Sequence, residues 1–297
     1  MNMILIPFIL TVAGSIVCIC YVLLRKFFLR KQTHLTDKTV ILITGGCCGI
    51  GFEIISNLIT QYHCKVINVD ILKEKFTALK QRFKDNITNV YCDLSQCDID
   101  FASLLKSHGV NISSIDIVIN NAGVAYNRPF SASNSVQINT TIHVNLLSHM
   151  LLTKAILNDK LNHKSNIHIV TIASVMSHLV SQNSCEYVAS KWGLFAFHES
   201  LRAEYLYQKG FDFTIVCPFA INTGMFEGFK SPFPILFKEY DVKWFGKDVT
   251  ERIALKDAVI YYPWYAKYFG GIYKTLPTCI MDMFQYIFCK IYIIHTY

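Results

Sequence analysis

The sequence predicts an α/β protein with a doubly wound parallel sheet, formed by a single domain behind an N-terminal transmembrane helix. Short β-branched segments alternate with longer helical stretches, as in repeated βα units on a parallel sheet. The segment Ile115–Ile119 is almost continuously apolar, which is typical of a strand buried on both faces. Hydrophobic residues make up 52% of the 297 residues and charged residues 16%, so disorder, collagen and coiled coil are excluded.

The β-branched segments predict seven strands, separated by five long helical stretches. The strands are expected at Val40–Thr44, Lys65–Val69, Asn89–Cys92, Asp116–Asn120, Ile167–Ile172, Phe213–Cys217 and Ala258–Tyr262. The helices are expected at residues 50–62, 73–84, 97–108, 136–160 and 185–209. No internal repeat, low-complexity tract or linker interrupts this pattern, so residues 37–262 are predicted to be one domain.

Residues 3–24 form an uncharged run of 22 residues, long enough as a helix to cross a hydrocarbon core of about 30 Å. Arg25, Lys26, Arg30 and Lys31 follow this run. A cleaved signal peptide carries its positive charge before the apolar run, so residues 1–31 are predicted to be an uncleaved membrane anchor. Basic residues favour the cytosolic flank, which places the rest of the chain in the cytosol. A helix buried in the globular core is the alternative.

The charge balance and the cysteines exclude several classes of protein. Of the net charge of +7, the four bases behind the anchor contribute +4, leaving 24 of the 28 Lys and Arg against 21 acids. An excess of 24 bases over 21 acids is too small to indicate a nucleic-acid partner, so none is predicted. The 11 cysteines are scattered through helices and strands, which indicates a reducing compartment. Cys47 and Cys48 have no histidine pair at ligand spacing, so no metal site is predicted. Sequons at Asn86, Asn111 and Asn139 are expected to stay unmodified.

A glycine-rich turn follows the first predicted strand. The segment Thr44-Gly-Gly-Cys-Cys-Gly-Ile-Gly51 leads into a helix, and its glycines let the backbone approach a pyrophosphate at the positive end of that helix. Asp70 ends the next strand 19 residues later, where a carboxylate binds an adenosine ribose and repels a 2′-phosphate. This pattern predicts a Rossmann-type dinucleotide site that takes NAD in preference to NADP. Lys73 and Lys75 follow closely enough to soften that preference.

A second constellation is Tyr187-Val-Ala-Ser-Lys191, whose spacing of four places a phenol and an ammonium on one face of a helix. The ammonium favours phenolate, so we expect the Tyr187 pKa to lie below its usual value of about 10. Such a phenol exchanges a proton with an alcohol or carbonyl oxygen. The same pair is also common on solvated helix faces. Ser174, which closes a strand 13 residues before Tyr187, favours the catalytic interpretation.

With these motifs the chain resembles the classical short-chain dehydrogenases/reductases over about residues 37–262. The matching elements, in chain order, are Thr44-Gly-x-x-x-Gly-x-Gly51, Asp93, Asn120-Asn-Ala-Gly123, Asn145, Ser174, Tyr187-x-x-x-Lys191, and Pro218 with Thr223. The chain departs from the family pattern at Phe219, where a glycine usually follows the proline. The bulky side chain of Phe219 is expected to change how the backbone contacts the nicotinamide. This would affect the catalytic efficiency and not the type of reaction.

The resemblance implies a role for each matching residue. Tyr187 is the catalytic acid and base, Ser174 orients and polarises the reacting oxygen, and Lys191 tunes Tyr187 and holds the nicotinamide ribose. Asn145 positions a proton-relay water. Asp93 contacts adenine and Thr223 the carboxamide, and the other implied cofactor contacts are Thr44, Gly45, Gly49, Ile50, Gly51, Asp70, Leu94, Asn121, Ala122, Gly123 and Pro218.

Within that family, the anchor, Asp70 and the stretch Val216–Phe226 resemble the membrane-bound retinol dehydrogenase and 17β-hydroxysteroid dehydrogenase branch. A substrate lid is expected at about residues 225–250, rich in Phe226, Phe229, Phe233, Ile235, Leu236, Phe237, Trp244 and Phe245. An apolar lid beside a membrane favours a lipophilic alcohol. The alternative is that these side chains only pack the lid onto the domain.

The C-terminal tail, residues 263–297, is apolar and aromatic. From Tyr261 to the end, 12 of 37 residues are aromatic, and Asp282 is the only acid. A helix over 279–294 would place Asp282, Gln285 and Lys290 on a narrow polar stripe, which predicts a second membrane contact lying in the interface. A helix of the core, or of a homodimer, is the alternative.

The leading interpretation is a membrane-bound, NAD-dependent oxidoreductase acting on a hydroxyl or carbonyl group of a retinoid, steroid or long-chain lipid. It is expected at the endoplasmic reticulum or a lipid droplet, with the catalytic domain facing the cytosol. One alternative is an NADPH-dependent ketolipid reductase, which Asp70 disfavours. The other is a catalytically idle membrane or lipid-droplet binding protein, which would have no physical need for Asn145, Ser174, Tyr187 and Lys191 together.

Overall fold

The computed structural model describes residues 34–225, 238–283 and 286. Its main sheet is formed by β1 (Val40–Thr44), β2 (Lys65–Asp70), β3 (Ile87–Tyr91), β4 (Ile117–Asn120), β5 (Ile167–Ile172), β6 (Phe211–Pro218) and β9 (Val259–Tyr262). The seven strands are parallel and lie in the order β3-β2-β1-β4-β5-β6-β9. The short strands β7 (Ala220–Ile221) and β8 (Glu239–Tyr240) pair separately. The predicted doubly wound parallel sheet is confirmed.

The strand order reverses at β1, which pairs with β2 on one side and with β4 on the other. Open α/β sheets bind ligands at such a reversal, in the crevice beyond the carboxyl ends of the strands. The apolar runs in the sequence explain why these central strands form the core, since every residue of β4 and β5 is buried.

Helices cover both faces of the sheet. Their bounds are α1 Gly49–Tyr62, α2 Phe76–Phe83, α3 Phe101–Ser107, α4 Ser135–Ile142, α5 Ser148–Asn162, α6 Cys185–Glu204, α7 Val242–Ala254 and α8 Ala266–Thr275. One core cluster joins the sheet to α1, α2 and α7, and a second joins the opposite face to α3, α5 and α6. These elements belong to the compact unit Leu35–Tyr297.

Two helical segments differ from the sequence prediction. The stretch predicted as one helix over 136–160 is interrupted by a π-helix at His143–Leu147. Helix α7 forms where the substrate lid was expected to end. Asp241 caps its N-terminus by accepting a hydrogen bond from the Trp244 amide. Phe245 is fully buried in the core, because its helix packs against α1 through Gly246 and Glu53, and this burial is what the alternative of packing side chains predicts.

Several predicted features lie outside the described residues. They are the membrane helix at 3–24 with its basic flank, most of the apolar lid residues (Phe226, Phe229, Phe233, Ile235, Leu236 and Phe237), and the tail beyond 286. Among the residues that the structure does describe, none of the helices combines the length and the hydrophobicity needed to span a bilayer.

Candidate active site

The glycine-rich turn after β1 requires glycine at specific positions. Gly45 and Gly49 have φ values of +69° and +56°, a backbone conformation that residues other than glycine adopt only at a cost in free energy. At Gly51 an added Cβ would meet the Gly45 carbonyl oxygen closer than the 3.0 Å that real Cβ atoms keep. The turn therefore brings backbone amides to the start of α1, as the sequence predicted.

Asp70 lies at the carboxyl end of β2 and is 5% exposed. One carboxylate oxygen accepts a hydrogen bond from the Cys47 amide at 2.8 Å and the other accepts one from the Leu72 amide at 2.9 Å. Each oxygen keeps further acceptor capacity. The carboxylate is thus held rigidly beside the glycine-rich turn, with room to accept a hydroxyl donor.

The segment after β4, residues 121–122, forms hydrogen bonds to Thr44 and Gly45 at the start of the glycine-rich turn. The Thr44 hydroxyl accepts hydrogen bonds from the amides of Asn121 and Ala122, both at 3.0 Å. The Asn121 side chain donates to the carbonyl oxygens of Thr44 and Gly45. These two residues are therefore structural supports of the crevice at the carboxyl ends of β1 and β4.

Asn145 lies inside the π-helix and is fully buried. Its side chain exchanges two hydrogen bonds with the backbone of Val124, and it donates a third to the Ser190 hydroxyl at 3.0 Å. A π-helix within an α-helix frequently marks a functional site. Ser190 was not predicted; its position one residue before Lys191 was the only available signal.

Ser174, Tyr187 and Lys191 come together at the carboxyl end of β5. Tyr187 forms a hydrogen bond with Ser174, and the Lys191 ammonium lies 5.8 Å from the centroid of the Tyr187 ring. The Lys191 Nζ atom also donates to the Ile172 carbonyl oxygen at 3.0 Å. The spacing of four on α6 therefore places the phenol and the ammonium on one buried face, as predicted.

Burial dominates the electrostatics of this cluster. It raises the pKa of Tyr187 to about 12, against the opposing effect of the hydrogen bond from Ser174. It lowers the pKa of Lys191 to about 8. For the protein chain by itself, the expected lowering of the Tyr187 pKa is wrong, because desolvation of the phenolate outweighs the hydrogen bond from Ser174.

One cavity of about 640 Å³ connects the two halves of the site. Of the residues predicted from the sequence, those that line it are Gly45, Gly49, Ile50, Gly51, Asp70, Asp93, Leu94, Asn121, Ala122, Gly123, Ser174, Tyr187, Lys191, Pro218 and Thr223. Thr44 and Asn145 support the wall from behind through the hydrogen bonds described above.

Further lining residues were not predicted. Val124, Ala125 and Tyr126 directly follow the predicted Asn-Asn-Ala-Gly segment, so their position after β4 was a usable signal. Thr140, on α4, lines the cavity without any sequence signal. Phe219, the departure from the family pattern, also lies on the wall and packs against a small core cluster around Cys217.

Comparison with known proteins gives matches over most of the chain. The family model described as short chain dehydrogenase matches residues 39–232. Estradiol 17-beta-dehydrogenase 11 of Macaca fascicularis is 31% identical over 225 residues, which cover 74% of each chain. Retinol dehydrogenase 10-B of Danio rerio is 30% identical over 250 residues, which cover 73% of each chain.

Solved structures show the same fold at lower identity. A short chain dehydrogenase from Burkholderia cenocepacia in complex with NADP has a TM-score of 0.68 at 17% identity, covering 84% of this chain and 98% of its own. A 4-hydroxyisoleucine dehydrogenase complexed with NADH has a TM-score of 0.65 at 21% identity, covering 75% of this chain and 96% of its own. The family match and the two relatives confirm the resemblance seen in the sequence: the chain belongs to the short chain dehydrogenase family, in its retinol and 17β-hydroxysteroid dehydrogenase branch, and is an oxidoreductase acting on CH–OH donors.

Proposed function

We propose that the protein is a membrane-bound, NAD-dependent oxidoreductase that interconverts a hydroxyl and a carbonyl group on a lipophilic substrate. The observation that carries the proposal is the single cavity that runs from Asp70 to the cluster of Ser174, Tyr187 and Lys191. A dinucleotide whose ribose binds at Asp70 and whose nicotinamide reaches Tyr187 fits a crevice at the carboxyl ends of the strands.

Tyr187 is the group that moves the proton. In oxidation its phenolate takes the proton of the substrate hydroxyl, and in reduction its phenol gives the proton to the carbonyl oxygen. Ser174 donates a hydrogen bond to that same oxygen. When NAD is bound, its nicotinamide accepts or supplies the hydride at the neighbouring carbon. The positive charges of Lys191 and of the oxidised nicotinamide favour phenolate and counter the burial of the phenol.

The preference for NAD over NADP rests on charge. Asp70 places a carboxylate where a 2′-phosphate would have to lie, and its position is fixed by two backbone amides. Among the described residues that line the cavity, Lys191 is the only basic one, and it lies at the opposite, catalytic end. A 2′-phosphate would therefore meet this negative charge with no cation on the cavity wall beside it, since Lys75, whose charge acts on Cys48, lies outside that wall.

The lipophilic substrate is inferred from the catalytic end of the cavity. Its walls there include the apolar side chains of Val124, Val144, Phe219, Ile221 and Met225. Two relatives are named for estradiol and retinol, which are both lipophilic alcohols. A hydrophobic wall with a few polar groups at the reacting atom suits such a molecule, so we infer a steroid, a retinoid or a similar lipid.

Membrane attachment is inferred from the uncharged run at residues 3–24 and the four bases behind it. We place the catalytic domain on the cytosolic face of the endoplasmic reticulum or of a lipid droplet. The C-terminal segment supports a second contact, because Trp264, Tyr268 and Ile272 expose 71%, 58% and 62% of their surface. Aromatic side chains of this kind are favoured at a membrane interface.

The test is an assay of the full-length protein in detergent, in which the absorbance of the reduced nicotinamide follows the formation or consumption of NADH or NADPH. The panel consists of retinols, hydroxysteroids and long-chain fatty alcohols, each with NAD and with NADP, and of ketolipids with NADH and with NADPH. We expect turnover with at least one lipid alcohol and NAD, and none with Tyr187→Phe. Turnover of ketolipids with NADPH alone would favour the ketolipid reductase, and binding of lipids without turnover would favour the idle binding protein.

A further inference from the structure

Ser174 begins a short turn, residues 174–178, that we call the catalytic turn. The Ser174 hydroxyl accepts a hydrogen bond from the Met176 amide at 3.1 Å, which closes the turn at its start. The Ser177 hydroxyl donates to the Lys191 carbonyl oxygen at 2.9 Å, which fastens the middle of the turn to α6. The orientation of Ser174 therefore depends on how the whole turn is held.

His178 ends the catalytic turn and is enclosed on two sides by side chains. Its ring packs edge-on against Phe195 of α6, with the centroids 4.3 Å apart. Its Nε2 atom forms a hydrogen bond with the Tyr261 hydroxyl of β9 at 2.6 Å. These two contacts tie the end of the turn to the helix that carries Tyr187 and Lys191 and to the edge strand of the sheet.

The third side of His178 is covered by the backbone of α8. A Cβ added at Gly270 would lie closer to the His178 Cβ than the 3.0 Å that real Cβ atoms keep. At the neighbouring Gly271 an added Cβ would meet nothing within 4 Å. Helix α8 thus approaches His178 closely at Gly270 and not at the neighbouring Gly271.

We propose that His178 is a positioning residue for Ser174, and that its contact with Gly270 makes the geometry of the active site depend on the seating of the C-terminal helix α8. The proposal rests on the proposed function in one respect, since it takes Ser174 to act on the reacting oxygen. His178 touches neither the cavity wall nor the Tyr187 ring among the contacts described. It acts through the turn, which carries any displacement of His178 back to Ser174.

The adjacent glycines supply a matched pair of variants. Gly270→Ala forces His178 or α8 to move, whereas Gly271→Ala places the same methyl group in open space and brings the same gain in helix propensity. We expect Gly270→Ala to lower kcat about 10- to 100-fold, the loss typical of a displacement of about 1 Å in a catalytic group. The KM for NAD stays unchanged because the glycine-rich turn is untouched. Gly271→Ala keeps the wild-type kcat.

A double-mutant cycle shows whether the effect passes through His178. In the background of His178→Gly the Cβ atom that the new methyl group of Gly270→Ala would overlap is gone, so the second change has no further effect on kcat. A loss of the same size in both backgrounds overturns the proposal. So does a Gly270→Ala protein that turns over as fast as Gly271→Ala, or one that loses NAD binding in proportion to kcat.

A second pair of variants covers the case in which Gly270→Ala fails to fold. Tyr261→Phe removes only the hydroxyl that binds His178 and the Cys217 thiol. Tyr262→Phe removes the neighbouring hydroxyl, which binds Asp248 and belongs to the core cluster on the opposite face of the sheet. We expect kcat to fall about 3- to 10-fold in the first and to stay unchanged in the second. Equal kcat values in the two variants contradict the proposal.

Amide hydrogen exchange, measured without substrate, separates this proposal from the proposed function. Gly270→Ala should speed exchange at Ser177 and His178, whose amides donate within the catalytic turn, while Gly271→Ala should not. If the wild-type protein turned over no alcohol, the proposed function would fail, and exchange would still decide whether α8 holds the turn. Equal exchange in both variants overturns the inference.

Discussion

Lys191 carries a buried ammonium, and its replacement by methionine is expected to have opposite effects on the reaction and on stability at pH 7: turnover is lost, while the cost of burying a charge is removed. Lys191 is 4% exposed, and burial lowers its pKa from 10.5 to about 8. Methionine has a similar length and no charge. We expect Lys191→Met to abolish turnover, since Tyr187 loses its cation, and to change the pH dependence of stability in a defined direction.

The size of the change follows from the pKa. The unfolded chain keeps Lys191 protonated up to its ordinary pKa of 10.5, whereas the native protein releases the proton from about pH 8. Between these values the unfolded state binds more protons, so Lys191 destabilises the native state at pH 7 and this effect fades as the pH rises. One pKa unit corresponds to about 1.4 kcal/mol. The free energy of unfolding of Lys191→Met, taken relative to wild type, should therefore fall by about 2.5 kcal/mol between pH 7 and pH 10.

Urea unfolding of both proteins, followed by tryptophan fluorescence at pH 7 and pH 10, measures this difference. The lost hydrogen bond from Lys191 to the Ile172 carbonyl changes the stability at both pH values, so the pH dependence isolates the charge. The neighbouring Tyr187 and Cys217 do not disturb this comparison, because burial raises the pKa of each to about 12 and both stay protonated in the native protein over this range. A difference between the two proteins that is the same at pH 7 and pH 10 would refute the reasoning that Lys191 is a desolvated cation.

Three further predictions concern the reaction, the cofactor and the membrane. Tyr187→Phe removes one hydroxyl and leaves the ring in place, so kcat should fall about 10²- to 10⁴-fold while NADH binding, measured by fluorescence, survives; near-normal turnover would contradict the role of the phenol. Asp70→Ala should narrow the ratio of kcat/KM between NAD and NADP at least about tenfold, because the charge that repels a 2′-phosphate is gone, and equal use of both cofactors by the wild type would exclude this explanation. Alkaline carbonate should leave the full chain in the membrane fraction and truncation before Thr33 should weaken its retention there, whereas glycosylation at Asn86, Asn111 or Asn139 in cells would place the domain on the other side of the membrane.

Sequence patterns were most informative where the interactions are local. The seven predicted strands coincide with the observed strands of the main sheet to within about two residues, because the central strands β4 and β5 are buried along their whole length and need nearly continuous apolar side chains. The glycine-rich turn was equally readable. The positive φ values of Gly45 and Gly49 and the close approach at Gly51 exclude most other residues, so the glycines in the sequence indicate the backbone geometry of the turn.

Patterns were less informative where packing chooses between two roles for one residue type. Phe245 belongs to an aromatic segment that resembles a lid, yet it lies in the core because α7 packs on α1 at Gly246. The cap at Asp241 was a local signal for this helix. Which face of α7 is buried depends on the contact between Gly246 and Glu53, which lie about 190 residues apart in the chain. No local sequence pattern contains that information.

Residue types and their spacing along the chain were enough to predict the fold class, the family and many of the residues that line the cavity. Only the tertiary structure decided the environment of those residues. The direction of the Tyr187 pKa is the clearest case: the spacing to Lys191 indicates attraction, but burial, which depends on every element packed around the phenol, raises the pKa instead. The approach of Gly270 to His178 is another, since two residues far apart in the chain meet only when α8 docks beside the catalytic turn. Local chemistry is encoded in the sequence, whereas desolvation and contact between distant segments exist only once the chain has folded.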